Sequence, residues 1–406
     1  MLKLEDFKQA KQRLESVLVN TGLIYSEVFS NENQNEVYIK PENLQRTGSF
    51  KIRGAYNKIA KMTKEQKEKG LIASSAGNHA QGVAYAAKVA NVKATIVMPA
   101  HTPLIKVEST SSHGANVVLH GEVYDEAYAK ACELQEKFGY TFVHPFDDED
   151  VIEGQGTIAL EILEELADTD IILVPIGGGG LISGVACVAK LINPNIKIIG
   201  VEPDGAASAL EAMKERQVVT LPSANTIADG TAVKRIGDTT YQYIERYVDE
   251  IITVSDYELM NTFLTLVEKH KLVAENSGLL TLAALSQLKE KNKKVVCVVS
   301  GGNIDVKNIS SVINKGLVSR NRIFKFSIAL ADKPGELVKI ANHLAKLNAN
   351  IVSLEHNQLI NLPSFQDLEL RVTCETNGKT HVDKIIESFK NQGYDITILD
   401  LSLIHI

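Results

Sequence analysis

The chain has 406 residues, enough for two or three domains that each bury a core, so a small disulfide-stapled scaffold is excluded. Apolar residues make up 44% and charged residues 23%, a composition typical of folded rather than disordered proteins. The net charge of -7 offers no basic surplus for nucleic acid or an anionic membrane, which leaves small molecules or other proteins as partners.

The four cysteines lie far apart and show neither a CxxC pair nor the spacing of Cys/His metal ligands. They are Cys132, Cys187, Cys297 and Cys374. Neither a disulfide framework nor a zinc site is predicted. The first residues are charged and amphipathic and contain no apolar leader, so we expect a reduced, cytoplasmic protein without a membrane segment.

From about residue 70, short β-branched runs alternate with longer runs of helical period, which predicts βα units and a parallel sheet. The predicted strands are 71–74, 93–98, 116–119, 171–175, 197–202 and 294–299. The predicted helices are 79–89, 103–112, 123–138, 154–166, 181–191, 256–270 and 278–289. The fold class is therefore α/β.

Polar residues and a glycine interrupt this pattern at 314–322, where we predict a linker between a domain at 1–313 and another at 323–406. The second domain shows the order βαββαβ, the ferredoxin-like α+β plan. Its predicted strands are 323–330, 351–359, 365–373 and 395–399, its helices 337–347 and 381–391, and its turns 332–335 and 361–364.

Four consecutive glycines, Gly177, Gly178, Gly179 and Gly180, stand between a predicted strand and a predicted helix. Glycines there allow successive N–H groups to approach an anion at a helix N-terminus. A tight turn alone would need one or two glycines, so a phosphate site is favoured. The loop has neither the Lys-Ser/Thr ending of a P-loop nor a G-x-G-x-x-G frame, which argues against a nucleotide or dinucleotide.

A lysine follows the segment Thr-Gly-Ser-Phe at 47–50. Ser49 is predicted to cap a helix that holds Lys51 in its first turn. The helix dipole would lower the pKa of that amine and enlarge the neutral fraction that can attack a carbonyl. A solvated surface lysine fits the same residues, and the local pattern leaves both interpretations open.

Two further loops follow predicted strands. Residues 74–82 offer hydroxyl, amide and backbone donors at a helix N-terminus, which suits a substrate carboxylate, although an ordinary capped turn fits as well. His79 opens that helix and fits a structural hydrogen-bonding role better than that of a general base. Residues 298–303 end a core strand with small polar residues, where α/β sheets bind ligands. All four loops could converge at one site.

In combination, these loops resemble those of the fold-type II pyridoxal-phosphate enzymes, and among them the threonine dehydratase family. The resemblance covers 1–313 and is carried by Pro-Glu-Asn-Leu-Gln at 41–45, Lys51, and the segments 75–79, 177–180, 200–203, 274–278 and 300–303. It implies a two-lobed fold like that of tryptophan synthase β, with a smaller lobe at roughly 46–144 inserted in the larger one. Residues 330–337 resemble an ACT domain, which implies that 323–406 are regulatory.

The resemblance implies pyridoxal 5′-phosphate as cofactor and the conversion of L-threonine to 2-oxobutanoate and ammonia, with L-serine giving pyruvate. Lys51 would bind the cofactor covalently and then take the α-proton as general base. The other implied cofactor-binding residues are Phe50 at the ring face, Asn78 at the ring hydroxyl, Gly177, Gly178, Gly179, Gly180 and Leu181 at the phosphate, and Ser300 at the pyridine nitrogen. The implied substrate-binding residues are Ser75, Ala76, Gly77, Asn78 and His79.

Two alternatives to a threonine dehydratase stay open: a serine racemase or serine dehydratase of the same fold, and an amino-acid-sensing protein of weak activity. Racemases of this family carry a second serine where this chain has Ala76, so elimination is expected to dominate. A hydroxyl at Ser300, unlike a carboxylate, does not enforce a protonated ring, which also favours elimination.

The resemblance also bears on metals and regulation. The family's metal site would use Glu202, but the expected aspartate is Ser208, so no metal is predicted. The ACT-like segment implies an amino-acid effector near Asp332 and Gly335, with a purely structural dimerisation domain as the alternative. A homotetramer or homodimer is implied by the family alone.

Overall fold

The computed structural model describes residues 1–357 and 367–399. It divides into two compact units, Met1–Ile304 and Asp305–Ile406. In the described ranges, no helix combines the length and the apolar character needed to cross a bilayer.

Helices and strands alternate through most of the first unit. Helices α1 to α13 span, in order, Leu4–Leu14, Glu27–Asn33, Lys51–Lys61, Lys64–Lys69, Asn78–Val89, Leu104–Ser111, Tyr124–Phe138, Glu149–Glu165, Gly180–Ile192, Ser208–Glu215, Asp238–Tyr247, Asp256–Thr265 and Asn276–Ala283. Strands β1 to β10 span Ile24–Tyr25, Glu36–Pro41, Leu71–Ser74, Ala94–Met98, Asn116–Leu119, Thr141–Phe142, Ile171–Pro175, Lys197–Pro203, Glu250–Val254 and Lys294–Val299.

These strands form two sheets. The larger has the order β1-β2-β10-β7-β8-β9 and is parallel except for β1. The smaller, β5-β4-β3-β6, is parallel throughout and lies inside the range 46–144 expected for a smaller lobe. The central strands β7 and β10 are almost entirely buried, as parallel strands covered on both faces must be.

The predicted strands at 71–74, 116–119, 171–175 and 294–299 are confirmed residue for residue. The sequence pattern does not predict β2 and β9. Strand β2 contains Lys40, whose charge is buried only because it is paired, and β9 is a half-buried edge strand. The helix predicted at 256–270 ends at Thr265 and continues as a π-helical turn, Leu266–His270.

Helix α8 packs between α3 and α9. A Cβ atom on Gly154 of α8 would lie 2.5 Å from the carbonyl oxygen of Arg53 in α3. A Cβ atom on Gly184 of α9 would lie 2.5 Å from the backbone nitrogen of Gly156 in α8. The three helices therefore meet backbone against backbone, and any side chain at these positions would force them apart.

A buried ion network joins α3 and α8 to β2. Arg53 donates two hydrogen bonds to Glu42, at 2.7 and 2.8 Å, and two to Glu161, at 2.6 and 2.8 Å. Lys40 pairs with the Oε2 atom of Glu161 at 2.7 Å. Burial alone would raise the pKa of Glu161, but Arg53 and Lys40 outweigh it and lower the pKa to about 2. Because every charge is paired, removing one partner would leave a buried charge without compensation.

The second unit begins with α14, Val306–Ser319, and continues as an α+β fold. Its further elements are β11 (Ile323–Ala331), α15 (Glu336–Lys346), β12 (Asn350–Asn357), β13 (Asp367–Glu375), α16 (Lys379–Asn391) and β14 (Ile396–Ile398). The sheet is antiparallel, in the order β12-β13-β11-β14. This order confirms the ferredoxin-like plan. The predicted turn at 361–364 lies outside the described residues, as do 358–359 and 365–366 of the predicted strands.

The linker predicted at 314–322 is wrong over most of its length, because α14 continues through it to Ser319. Apolar residues recur at helical spacing along α14, with Val312 and Gly316 buried, and Asp305 caps its first turn. This periodicity outweighs the weak helix propensity of one glycine. The compact units divide earlier, between Ile304 and Asp305.

We expect the substitution Gly154→Ala to lower the stability of the full chain although alanine favours helix more than glycine. Overpacking of a tight contact typically costs about 1–3 kcal/mol, against a gain of at most ~1 kcal/mol in helix propensity. The urea midpoint of unfolding, followed by circular dichroism, measures the difference. Glu164→Ala, on the exposed face of the same helix, is the control and should change stability by less than about 1 kcal/mol. A Gly154→Ala protein as stable as the parent would contradict the close helix contact.

Candidate active site

The loops predicted to bind ligands follow the carboxyl ends of β3, β7 and β10. Strands β7 and β10 are neighbours in the larger sheet, so the loops after Pro175 and Val299 leave from the same edge. The loop at 75–79 follows β3 of the smaller sheet and leads into α5. The strand ends thus provide loops from both sheets.

Helix α3 begins at Lys51 itself. The residue in the N-cap position is Phe50, and it makes no side-chain cap. The predicted cap by Ser49 is wrong, because the backbone of Ser49 is extended and forms an antiparallel bridge with Gly301. The backbone N–H of Phe50 also donates to the carbonyl of Ser300, at 3.1 Å. These bonds bring the lysine segment and the 300–303 loop together.

The amine of Lys51 is held inside the site rather than in solvent. Its Nζ atom donates to the carbonyl oxygen of Pro145 at 2.8 Å and lies 5.1 Å from the centre of the Phe50 ring. Burial lowers the pKa of Lys51 to about 8, although the carboxylate of Glu275 acts in the opposite direction. The amine is therefore neutral over a far larger fraction of molecules near pH 8 than an exposed lysine would be.

The glycine loop presents backbone donors without acceptors. In the described parts of the chain, no acceptor receives a hydrogen bond from the N–H groups of Gly177, Gly178, Gly179, Gly180 or Leu181. All of these residues except Gly177 are buried, and α9 begins at Gly180. Buried donors at a helix N-terminus that lack partners are typical of an anion site.

Neighbouring atoms of the chain leave no room for a side chain at three of these glycines. A Cβ atom on Gly178 would overlap the ring of Phe146, and one on Gly180 would lie 2.9 Å from the Cα atom of Phe146. Gly179 has a φ of +94° and a Cβ there would lie 2.8 Å from the side chain of Thr240. Packing thus explains the glycines, and the N–H groups without acceptors support the anion site.

Pro145 and Phe146 place Lys51 and the glycine loop next to each other. The carbonyl of Pro145 accepts from the amine, and the next residue packs against the loop. The lysine and the glycine loop thus both contact this two-residue stretch. No motif in the sequence marks this stretch as part of the site.

The 75–79 loop also carries backbone donors without acceptors in the described ranges, namely the N–H groups of Ala76, Asn78 and His79. Gly77 donates to the hydroxyl of Ser75 at 3.2 Å. His79 lies 3% exposed with its Nε2 atom 2.8 Å from the carbonyl of Val143, and burial and the nearby Lys51 lower its pKa to about 3. His79 is therefore a neutral, structural histidine, and the loop could hold a second anion.

A chain of hydrogen bonds joins the segments that contain Thr47, Asn303, Asn78 and Glu275. The Nδ2 atom of Asn303 donates to the carbonyl of Thr47 at 2.7 Å and to the Oδ1 atom of Asn78 at 2.8 Å. The Nδ2 atom of Asn78 donates to the Oε1 atom of Glu275 at 2.6 Å. Together with the backbone bonds at Ser49 and Phe50, this chain brings the predicted loops to one site. Ser300 is 4% exposed within it.

Glu275 is the residue of this site that the sequence analysis does not assign. Burial of its carboxylate raises its pKa to about 7, Asp229 acts in the same direction, and Asn78, Lys106 and Lys51 oppose the shift. The segment 274–278 carries part of the family resemblance, but that resemblance gives Glu275 no role. Its contact with Asn78 becomes visible only in the fold.

Glu202 and the predicted regulatory residues lie in other surroundings. Glu202 is fully buried and accepts hydrogen bonds from the backbone N–H groups of Ala209 and Leu210, both at 2.8 Å, while burial raises its pKa to about 7. No cluster of His, Cys, Asp and Glu able to hold a metal occurs in the part of the chain that the structure describes.

Asp332 and Gly335 lie in the turn before α15, with Gly335 at its N-cap in a left-handed conformation.

Comparison with known proteins gives one family. The family model for pyridoxal-phosphate dependent enzymes matches residues 14–301. An L-threonine ammonia-lyase of Thermotoga maritima is 45% identical over 400 residues, which cover 98% of this chain and 100% of that protein.

Solved structures give the same result. The processed form of threonine deaminase isoform 2 from Solanum lycopersicum matches with a TM-score of 0.73 at 39% identity, over 77% of this chain and 89% of that one. Maize serine racemase matches with a TM-score of 0.74 at 35% identity, over 78% and 98% of the two chains. These neighbours confirm the expected fold-type II plan. The chain belongs to the family of pyridoxal-phosphate-dependent enzymes.

Proposed function

We propose that this protein is an L-threonine ammonia-lyase that converts L-threonine to 2-oxobutanoate and ammonia, and L-serine to pyruvate and ammonia. The observation that carries the proposal is the amine of Lys51, hydrogen-bonded to the Pro145 carbonyl in a site that also contains two loops of N–H groups without acceptors in the described structure. The relative from Thermotoga maritima that bears this activity in its name spans nearly the whole chain at 45% identity, which supports it.

The residues present fit the family's cofactor. The buried N–H groups of the glycine loop supply the donors that a phosphate needs, and no protein group uses them in the described structure. We assign Phe50 to the ring face, Asn78 to the ring hydroxyl and Ser300 to the pyridine nitrogen. When bound, pyridoxal phosphate supplies an electron-withdrawing ring that stabilises the negative charge left at the substrate's α-carbon.

Lys51 performs the protein's central chemistry in this proposal. Its neutral amine would hold the cofactor covalently, and the free amine would accept the substrate's α-proton at Nζ. The pKa of about 8 keeps a useful share of the amine neutral at physiological pH. The carbonyl of Pro145 orients the free amine through its 2.8 Å hydrogen bond.

The 75–79 loop is assigned to the substrate's carboxylate. In the described structure, the N–H groups of Ala76, Asn78 and His79 donate to no acceptor. They lie at the start of α5, where the helix dipole favours an anion. Two anion sites, one for phosphate and one for carboxylate, would hold the reacting carbon near Lys51. Such positioning supplies much of the rate enhancement of an enzyme.

Serine racemase is the second candidate, because the maize enzyme matches this chain with a TM-score of 0.74. Racemisation requires a proton donor on the face opposite Lys51. The methyl group of Ala76 offers no proton there, so loss of the β-hydroxyl wins over reprotonation.

The second unit is assigned to regulation by an amino acid. Its ferredoxin-like sheet order and the left-handed turn at Gly335 beside Asp332 support an ACT-type site in that turn. The proposal includes a homotetramer or homodimer in the cytoplasm.

Lys51→Ala tests the assignment of the catalytic lysine. The variant should lose the visible absorbance of bound pyridoxal phosphate and at least about 10³-fold in keto-acid production, because neither attachment nor proton transfer has a substitute. Lys61→Ala, at the other end of the same helix, is the matched control and should keep the absorbance. Near-normal turnover by Lys51→Ala would contradict the proposed function.

Ala76→Ser tests the choice between elimination and racemisation. The parent enzyme should convert L-serine to pyruvate with little D-serine, since the side chain of Ala76 carries no proton donor. The variant should raise the ratio of D-serine to pyruvate about 10²-fold, the lower end of the range for general acid catalysis. Chiral chromatography of the reaction mixture measures both products. D-serine formed by the parent as fast as pyruvate would favour the racemase instead.

A further inference from the structure

We propose that Glu275 and Asn303 are positioning residues that fix which end of the Asn78 carboxamide faces the cofactor. This inference rests on the proposed function, because it takes the ring hydroxyl of pyridoxal phosphate as the partner of Asn78. It assigns roles to two side chains that contact the amide and not the reacting carbon.

The direction of this series of hydrogen bonds is set by a carbonyl group, which can only accept a hydrogen bond. The carbonyl of Thr47 lies 2.7 Å from the Nδ2 atom of Asn303, so that end of Asn303 must be the amide nitrogen. The same Nδ2 atom lies 2.8 Å from the Oδ1 atom of Asn78. Both hydrogens of the Asn303 amide are thus used, and the end of Asn78 that meets them must be its oxygen.

The other end of Asn78 is then a donor. Its Nδ2 atom lies 2.6 Å from the Oε1 atom of Glu275, a short hydrogen bond to a group that accepts in its charged form. One of the two Nδ2 hydrogens is used there, and the second remains for another acceptor. A flipped Asn78 would face Glu275 with oxygen and Asn303 with nitrogen, losing both bonds.

The two ends of this series of hydrogen bonds, at Thr47 and Glu275, are held in place by the backbone. Thr47 has a φ of 62°, a left-handed conformation unfavourable for a residue with a branched Cβ, and its carbonyl is the group that meets Asn303. The N–H of Glu275 donates to the carbonyl of Gly301 at 3.1 Å, which ties that residue to the loop carrying Asn303. The amide of Asn78 is therefore oriented by the protein before any cofactor arrives.

The consequence concerns the ring hydroxyl of the cofactor. An N–H of Asn78 directed at this oxygen favours its deprotonated form, whereas the amide oxygen would favour the protonated form. The protonation state changes the absorbance of bound pyridoxal phosphate. The network should therefore affect the spectrum as well as the affinity.

The test compares Glu275→Gln with Glu275→Leu. Both variants remove the negative charge, but only glutamine keeps an oxygen that accepts from Asn78. We expect Glu275→Gln to bind pyridoxal phosphate within about threefold of the parent and keep its absorbance maximum. Glu275→Leu should bind about tenfold more weakly or worse, with a shifted maximum, because a buried donor loses its acceptor. Titration of the apo form of the full chain, followed by absorbance, measures both quantities.

Asn303→Asp tests the other end of the chain. An aspartate cannot donate to Thr47 or Asn78, so we expect weaker cofactor binding and a shifted absorbance maximum. Asn57→Asp is the matched control, since Asn57 is a buried asparagine whose side-chain hydrogen bonds go to Asp150 and Arg13 and to none of the residues assigned to the cofactor. It should lose stability in thermal unfolding but keep the parent's absorbance maximum.

The outcomes separate this inference from the proposed function. A parent enzyme with no visible band on addition of pyridoxal phosphate would overturn the proposed function. A parent with the band, together with Glu275→Leu and Glu275→Gln variants of equal affinity and equal spectrum, would overturn the positioning role alone. Should Asn303→Asp fail to fold, the Glu275 pair still decides.

Discussion

The close approach of α3, α8 and α9 sets the geometry of the whole site. Helix α3 begins at Lys51 and α9 begins in the glycine loop, so the distance between the helices determines the distance between amine and anion site. Gly154 and Gly184 allow backbone contact on both sides of α8. The ion network around Arg53 joins α3 to α8. It resists the separation of these two helices, because moving them apart would leave a buried charge unpaired. Packing and buried charge thus act on the same spacing.

The electrostatics of the site follow from burial. In the described structure, N–H groups at two helix N-termini lack acceptors and favour anions, while burial destabilises the cationic form of the Lys51 amine. Glu275 moderates this effect, since its carboxylate favours the charged form of Lys51 and is itself raised in pKa to about 7. A lysine with a useful neutral share near physiological pH, beside N–H groups that favour anions, is what covalent chemistry on an amino acid requires.

The sequence predicts the parts of this structure that depend on local pattern. Buried apolar runs mark β3, β7 and β10 to the residue, and the four glycines mark the loop proposed to bind phosphate. Features that depend on distant contacts are missed. Ser49 looks like a helix cap until its backbone pairs with Gly301, and Glu275 has no assigned role until the fold places it against Asn78. The linker prediction gave more weight to a glycine and its polar neighbours than to the apolar residues that recur at helical spacing. In the structure this apolar periodicity extends α14 through the polar residues.

The pH dependence of cofactor attachment tests the central claim most directly. The neutral amine is the form that attacks a carbonyl, so the rate should rise with pH while Lys51 loses its proton and level off above its pKa of about 8. Glu275, His79 and His144 face this amine, and they titrate or stay neutral below that range. Apoenzyme mixed with pyridoxal phosphate, reduced with borohydride at intervals and analysed by mass spectrometry, gives the rate of attachment at Lys51. A half-maximal rate near pH 8 and a plateau about one to two pH units higher are predicted. A rate still rising above pH 10, as for an exposed lysine, would contradict the account.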